Sequence, residues 1–187
     1  MTTLYLVRHG ETVDNARQIM QGQTQGELNA TGISQAEALR DKLSDIHIDA
    51  FVSSDLYRSI QTCRILAQGR QVPMVETPLL RERDWGSITG RRIEEVIRTA
   101  NEAPGVESVE AMFSRARILL DVIRTDYPDA QRVLLVSHGL FLRVLQAAVR
   151  GTEMKAIPPM KNLEVRSLEI TAPLSDSIAA DIEATDA

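Results

Sequence analysis

The sequence predicts an α/β protein with three layers, in which helices cover both faces of a mostly parallel central sheet. Two uninterrupted apolar runs, residues 4–7 and 133–136, are typical of strands that are buried on both faces. Other short apolar runs alternate along the chain with longer segments in which apolar residues recur at helical spacing. The chain has 187 residues, enough for one domain with a sizeable core.

In the first half of the chain, strands and helices alternate around one long loop. Residues 11–29 are rich in Gln, Gly, Asn and Thr and lack apolar periodicity, which predicts the loop. A strand at residues 72–75 contains Pro73, which cannot donate a backbone hydrogen bond, so this strand is edge or irregular. The other predicted elements are strands at 4–7 and 50–52, a helix that starts at Thr31 and runs to about Leu43, and a helix through 60–66.

The second half begins with an irregular connection at residues 78–90, which carries the only tryptophan, Trp85, as a predicted packing residue. Pro104-Gly105 separates two of the helices that follow. Residues 163–170 alternate between apolar and polar, which predicts a last strand at an edge of the sheet. The remaining predicted elements are helices at 91–100, 109–124 and 140–149 and the strand at 133–136.

The net charge of −5 is unevenly distributed, because residues 173–187 hold four acidic residues and no Lys or Arg. The rest of the chain is close to neutral and therefore lacks the basic surface that nucleic-acid binding requires. The single cysteine, Cys63, lies on an apolar helix face and is predicted to be a core thiol in a reducing compartment. No apolar run approaches about 18 residues, and the first residues lack a signal pattern. We predict a cytoplasmic protein without membrane contact, with a catalytic domain at 1–172 and a mobile acidic tail at 173–187.

Three predicted strands end in polar residues that suit an anion. These ends carry Arg8-His9, Ser53-Ser54-Asp55 and Ser137-His138. Parallel strands end on one rim of their sheet, where ligands of α/β proteins bind. Arg58 follows the second of these ends near the start of a helix, whose free amides and dipole favour an anion. The rim is therefore predicted to bind a phosphate group.

This set of side chains suits phosphoryl transfer. Arginine offers a phosphate paired and planar N–H donors, which lysine cannot do. A neutral histidine can act as the nucleophile and divide one difficult reaction into two easier steps. A carboxylic acid can then protonate the departing alkoxide. From the residues alone, Glu11, Asp55, Glu82 and Asp84 are all candidates for this acid.

Five blocks of sequence, in order, resemble the histidine phosphatase superfamily, the phosphoglycerate mutase-like group of enzymes. The resemblance covers the chain from Leu4 to about Ile170. Its five blocks are, first, Arg8-His9-Gly10-Glu11-Thr12; second, Asn15 with Gln21-Gly22; third, Ser54-Asp55-Leu56 with Arg58 and Gln61-Thr62; fourth, Leu80-Arg81-Glu82 with Gly86; and fifth, Ser137-His138-Gly139.

The resemblance implies a phosphoglycerate mutase-like fold and a phosphatase that hydrolyses a small phosphorylated metabolite without a metal or cofactor. It implies that His9 is the phosphorylated nucleophile and that Glu82 is the proton donor. The phosphate-binding residues that it implies are Arg8, Arg58 and His138, and the further substrate contacts are Asn15, Gln21 and Gly22.

Two positions of the loop depart from the family pattern. Members usually have Trp before the Asn at position 15, where this chain has Asp14. They often have Arg two residues before the Gln-Gly pair, where this chain has Ile19, with Arg17 nearby. Because both positions belong to the substrate loop, the departures bear on specificity rather than on the chemistry.

Other functions stay open at this point. A phosphoglycerate mutase and a protein phosphohistidine phosphatase use the same chemistry, and a catalytically inactive phosphoprotein-binding module would keep the same fold. A metal hydrolase could use His9 and His138, but the chain has no His pair at close ligand spacing. A nucleoside triphosphatase is disfavoured, because no Gly-Lys-Ser or Gly-Lys-Thr phosphate loop is present. The sequence predicts neither the exact substrate nor the oligomeric state.

Arg81, Arg83, Arg91 and Arg92 are expected mostly as surface charges, with the alternative that one of them contacts an acidic substrate. Arg58, the predicted phosphate ligand, is also expected at the surface of its helix start, where a charge contributes little to stability.

Overall fold

One sheet of five strands forms the centre of the computed structural model, which describes residues 1–128 and 130–170. Its strands lie in the order β3-β2-β4-β1-β5, and every neighbouring pair is parallel except β1 and β5. The predicted three-layer class with a mostly parallel sheet is therefore confirmed. The strands are β1 (Thr2–Arg8), β2 (Ala50–Ser54), β3 (Met74–Thr77), β4 (Arg132–Ser137) and β5 (Val165–Ile170).

Six α-helices connect these strands within the described residues. They are α1 (Val13–Ala16), α2 (Ala30–Lys42), α3 (Tyr57–Ala67), α4 (Ile93–Val96), α5 (Val109–Asp126) and α6 (Gly139–Arg150). Four single turns of 3₁₀-helix complete the connections, at Pro78–Leu80, Gly86–Ile88, Ala100–Glu102 and Met154–Ala156.

Alternate residues of each central strand face different helical layers, because successive side chains of a strand point to opposite faces. Leu4 and Leu6 of β1 join the buried cluster under α5 and α6. Val7 of the same strand joins a second cluster, which includes Phe51 and packs under α2 and α3. Cys63 of α3 is fully buried in this second cluster, so the prediction of a core thiol is confirmed.

The long loop after β1 contains a helix that the sequence pattern missed, the four-residue α1. Thr12 caps it, because its Oγ accepts the N–H of Asn15 at 3.0 Å while its own N–H donates to Asn15 Oδ1 at 3.3 Å. Four residues are too few for apolar periodicity, and only this capping pair signalled the helix.

The prediction of one helix at residues 91–100 is wrong, because only Ile93–Val96 is α-helical. The N–H of Ile93 donates to the carbonyl of Gln18 at 2.9 Å, and Arg92 pairs with Ile19 in an isolated bridge. This segment therefore packs on the loop after β1 instead of continuing as a helix. Helix α2 starts at Ala30, one residue before the predicted start at Thr31.

The predicted acidic tail at 173–187 lies outside the described residues, so its mobility and the domain boundary stay predictions. Within the part of the chain that the structure describes, no helix has the length and apolar character needed to cross a membrane.

Candidate active site

The carboxyl ends of β1, β2 and β4 meet on one rim of the sheet, as the parallel pairing requires. A cavity of about 150 Å³ opens there. Seven of the eight predicted site residues line it: Arg8, His9, Asn15, Gln21, Gly22, Arg58 and Glu82. The eighth, His138, lies beside His9, with 5.1 Å between the ring centroids. A larger open groove of about 530 Å³, beside Phe113 and Met154, contains none of these residues.

His9 is held in one tautomer by its neighbour. Its Nδ1 lies 2.8 Å from the carbonyl oxygen of Gly10, which can only accept a hydrogen bond. Nδ1 therefore carries the proton, and Nε2 keeps a free lone pair. Burial, with the charges of Arg58 and Arg8, lowers the pKa of His9 well below its ordinary value. The imidazole is consequently neutral at physiological pH, the form that a nucleophile requires.

The backbone around His9 is fixed by three contacts from distant parts of the chain. Its N–H donates to the carbonyl of Ser137 in the neighbouring strand at 2.9 Å. Thr62 Oγ accepts the N–H of Gly10 at 3.0 Å, and Asn162 Nδ2 donates to the carbonyl of His9 at 2.8 Å. Sequence reasoning gave no role to Asn162, which no motif marks, and none to Thr62 beyond its place in the resemblance.

The expectation that Arg58 lies at the surface is wrong, because its side chain is only 1% exposed. Its guanidinium donates to three carbonyls of the loop after β1, those of Gly22 at 2.7 Å, Thr24 and Gln25. Arg58 therefore fastens this loop to the start of α3. Burial lowers its pKa to about 10, an effect that the nearby Glu82 charge opposes, so Arg58 stays cationic at neutral pH.

Arg8 lies against the first turn of α6. Its Nη1 donates to the carbonyl of Met160 at 2.7 Å, and burial lowers its pKa. A Cβ added at Gly139 would stand 3.3 Å from Arg8 Nε, closer than most side chains tolerate. The glycine after His138 therefore lets the helix start close to this guanidinium.

Three buried side-chain nitrogens at this rim have no hydrogen-bond partner among the described residues. They are Arg8 Nε, Arg58 Nε and His138 Nδ1. An unpaired buried polar group costs about 1–3 kcal/mol, so three of them close together indicate a place for a ligand. The oxygens of a phosphate group are the acceptors that these nitrogens lack.

His138 can serve as one of these donors in its neutral form. Burial, with the charges of Arg58, His9 and Arg8, lowers its pKa well below the ordinary value. Its Nε2 lies 3.2 Å from Ser59 Oγ. When the serine hydroxyl donates to Nε2, the proton of the ring resides on Nδ1, the atom that lacks a partner.

Glu82 lies against the start of α6, and three backbone N–H groups hold its carboxylate, two from α6 and one from the adjacent Arg83. Its Oε1 accepts from Arg83 at 2.9 Å and from Phe141 at 3.1 Å, whereas its Oε2 accepts only from Leu140 at 3.2 Å. Oε2 therefore keeps the more accessible lone pairs.

The three rival carboxylates do not line the cavity and are engaged elsewhere. Asp55 receives two hydrogen bonds from Arg81, at 2.7 and 2.6 Å. Glu11 accepts from Asn29 at 2.7 Å, and Asp84 accepts the N–H of Gly86 at 2.8 Å. Glu82 is consequently the acidic side chain placed best to act on a bound phosphate ester.

The substrate loop is braced internally at Gln21 and Gly22. Gln21 Nε2 donates to Thr12 Oγ at 2.6 Å. Gly22 has a φ of +53°, and a Cβ there would lie 3.3 Å from Trp85 Cδ1. A glycine is therefore favoured where the loop passes close to the tryptophan.

Arg83 also departs from the surface expectation. It is only 6% exposed, donates to the carbonyl of Glu107 at 2.7 Å and to Asn101 Oδ1 at 2.8 Å, and lies 4.7 Å from the centroid of the Trp85 ring. It therefore packs Trp85 into place. Arg91 and Arg92 are exposed, as expected.

Within the described residues, no group of three or more His, Cys, Asp or Glu side chains is placed to hold a metal ion. The prediction that the reaction uses no metal or cofactor stays a prediction.

Comparison with known proteins gives the same family as the sequence motifs. A profile of the histidine phosphatase superfamily (branch 1) matches residues 4–174. The chain is 35% identical over 153 residues to the "Uncharacterized phosphatase PhoE" of Bacillus subtilis (strain 168), which covers 81% of this chain and 79% of that protein. It is 34% identical over 165 residues to the "Probable phosphoglycerate mutase GpmB" of Proteus mirabilis (strain HI4320), which covers 81% of this chain and 76% of the relative.

A solved structure supports the match in three dimensions. The mycobacterial glucosyl-3-phosphoglycerate phosphatase, solved as a complex with VO3, superposes with a TM-score of 0.82 and 26% identity. The superposition covers 90% of this chain and 91% of that one. The chain therefore belongs to the histidine phosphatase superfamily, in its branch 1.

Proposed function

We propose that the protein is a metal-independent phosphatase, which hydrolyses a small phosphate monoester through a phosphohistidine on His9. The observation that carries the proposal is the 2.8 Å contact between His9 Nδ1 and the Gly10 carbonyl. This contact leaves Nε2 as a neutral nucleophile in a cavity that Arg8 and Arg58 also line.

In the first step, His9 Nε2 attacks phosphorus and a new P–N bond forms. The P–O bond to the alcohol breaks, and its electron pair leaves with the oxygen. Such a transfer depends on charge stabilisation at the non-bridging oxygens. Arg8, Arg58 and His138 supply the donors, because each has a buried nitrogen without a partner among the described residues.

The departing alkoxide takes its proton from Glu82. Oε2 is the better source, because it accepts a single backbone hydrogen bond whereas Oε1 accepts two. The alcohol then leaves, and Glu82 remains as a carboxylate.

In the second step, water attacks the phosphohistidine. The carboxylate of Glu82 accepts a proton from that water, the P–N bond breaks, and inorganic phosphate leaves. Both groups thereby return to their starting states, His9 neutral and Glu82 protonated.

Isomerisation of a phosphoglycerate is the competing function, because relatives of the chain are named as phosphoglycerate mutases. A mutase must keep water away while its intermediate reorients. The chain between Glu82 and His138 consists mainly of α4, α5 and their connections, which leaves little for a closing lid. We therefore expect hydrolysis to dominate.

The test measures phosphate release and isomer formation from 3-phosphoglycerate, together with phosphate release from a panel of phosphate monoesters. Phosphate release should exceed isomer formation, persist with a metal chelator, and disappear in His9→Ala. Isomerisation much faster than release would favour the mutase. Activity lost with the chelator, or kept in His9→Ala, would contradict the mechanism.

A further inference from the structure

The cavity lining combines phosphate-binding groups with a group of apolar side chains. Arg8 and Arg58 offer buried donors that suit a phosphate group. The remaining lining is mixed, with the amide side chains of Asn15 and Gln21 beside an apolar wall. The side chains that form this wall are Ile19, Met20, Trp85 and Ile93. When a phosphate is bound by the two arginines, the alcohol part of a substrate can lie against this apolar wall.

No further cation belongs to the cavity lining, which consists entirely of described residues. Five arginines lie on the segments that border it. Arg17 is exposed and does not line the cavity, whereas the other four pair with or donate to other groups. Arg81 pairs with Asp55 at 2.6 Å, Arg83 donates to Glu107 and Asn101, Arg91 pairs with Glu95 at 3.6 Å, and Arg92 pairs with Glu94 at 3.6 Å.

Of the two departures from the family pattern, Ile19 lines this cavity and Asp14 lies near Arg58. Ile19 is part of the apolar wall, and its N–H donates to the carbonyl of Asp14 at 2.9 Å. Burial lowers the pKa of the Arg58 guanidinium, and the nearby carboxylate of Asp14 opposes that shift. The chain therefore has an apolar side chain in the cavity wall and a negative charge near Arg58.

We infer that the preferred substrates are phosphate esters of neutral, largely apolar alcohols rather than of alcohols that carry a carboxylate or a second phosphate. The inference rests on the proposed function and specifies its substrate class. A second anionic group on the alcohol would lie against Ile19, Trp85 and Ile93 without a cationic partner. It would also be repelled by Asp14, and a charge placed against apolar surface without such a partner is costly.

Two aryl esters of matched shape isolate this effect: para-propylphenyl phosphate and para-(carboxyethyl)phenyl phosphate. Their phenols are similarly basic, so the two esters differ mainly in the carboxylate at the far end. We expect kcat/KM to be about 10²-fold higher for the propyl ester, the scale on which apolar pockets discriminate. Equal values, or a preference for the carboxylate, would overturn the inference while leaving the phosphatase proposal intact. Turnover of neither ester, nor of any other in the panel, would instead contradict the proposed function.

A variant of Ile19 tests the structural cause. Ile19→Arg places a cation on the wall and should raise kcat/KM for the carboxylate ester about 3- to 5-fold relative to the propyl ester. Ile19→Gln, which is polar but uncharged, is the matched control and should leave that ratio nearly unchanged. The gain of the arginine variant should shrink at high salt. An equal change of the ratio in both variants would mean that charge at this wall does not select the substrate.

Discussion

Arg115 and Glu107 form a largely buried ion pair with two parallel contacts, Nε to Oε1 at 3.1 Å and Nη2 to Oε2 at 2.8 Å. The remaining nitrogen, Nη1, donates to the carbonyls of Leu79 at 3.0 Å and Arg81 at 2.6 Å. Glu82 follows directly, so the pair holds the segment that carries the proposed proton donor.

The same pair reaches Glu82 by a second route. The Arg115 guanidinium lies 4.3 Å from the centroid of the Phe141 ring, and the backbone N–H of Phe141 donates to Glu82 Oε1. Glu107 Oε2 also accepts the N–H of Asp84 at 3.2 Å. Arg115 is thus a positioning residue for Glu82, although it touches no part of the cavity.

The first prediction is that Arg115→Met lowers kcat/KM about 10-fold or more on an alkyl phosphate and much less on nitrophenyl phosphate. The reason is that only the strongly basic alkoxide depends on a well-placed proton donor. The exposed Arg117→Met on the same helix is the control and should change neither rate. Because the variant also breaks a largely buried ion pair, kinetics should be measured well below its unfolding temperature. Equal losses of kcat/KM on both esters would mean that Arg115 has only a structural role.

The second prediction concerns Glu82 itself. Glu82→Gln keeps the size of the side chain and one acceptor oxygen but cannot give a proton. It should lose about 10²–10⁴-fold in kcat/KM on an alkyl phosphate and much less on nitrophenyl phosphate. The high-pH limb of the alkyl-phosphate profile should disappear as well. If the high-pH limb persists and kcat/KM falls equally on both esters, one of the rival carboxylates, Glu11 or Asp84, donates the proton.

The third prediction separates binding from folding at Arg58. Arg58→Lys keeps the charge but loses paired geometry, so kcat/KM should fall roughly 10²-fold or more. Because Arg58 is buried and donates to three loop carbonyls, the free energy of unfolding should also fall by about 1–3 kcal/mol. Urea unfolding measures the second effect. Unchanged stability would show that these loop contacts contribute little.

The fourth prediction is a loss of stability in mild acid. His9 and His138 have pKa values well below the ordinary range in the folded protein, whereas in the unfolded chain they take up protons near pH 6.5. The contribution of the two neutral histidines to the free energy of unfolding is therefore complete above about pH 6.5 and is lost as the pH falls. The free energy of unfolding should drop by about 2 kcal/mol between about pH 6.5 and about pH 5.5. In His138→Gln the drop should be about half as large, and an unchanged drop would contradict buried neutral histidines.

The rim of the sheet could be predicted from the sequence because strong local signals marked it. The runs before Arg8-His9 and Ser137-His138 are buried on both faces, and such strands lie parallel in an α/β protein. Parallel pairing then places both histidines on one rim, as the 5.1 Å separation of their rings confirms. The motif blocks added Glu82, which lines the cavity.

The supporting contacts could not be predicted because nothing local marks them. Arg58 is a charged residue near a helix start, and its burial depends on how the loop of residues 11–29 folds over it. Arg115 lies on a long amphipathic helix, where a charge usually faces solvent. Asn162 reaches His9 from a turn far along the chain. Each contact is set by tertiary packing rather than by spacing in the sequence.

The most direct test of the central claim is chemical trapping of the intermediate. After rapid quenching of turnover with a labelled phosphate ester, the account predicts an acid-labile, base-stable phosphoprotein whose label maps to His9 by mass spectrometry. The label should be absent in His9→Ala and present in His138→Gln. Label that survives in His9→Ala, or that maps to His138, would contradict the account.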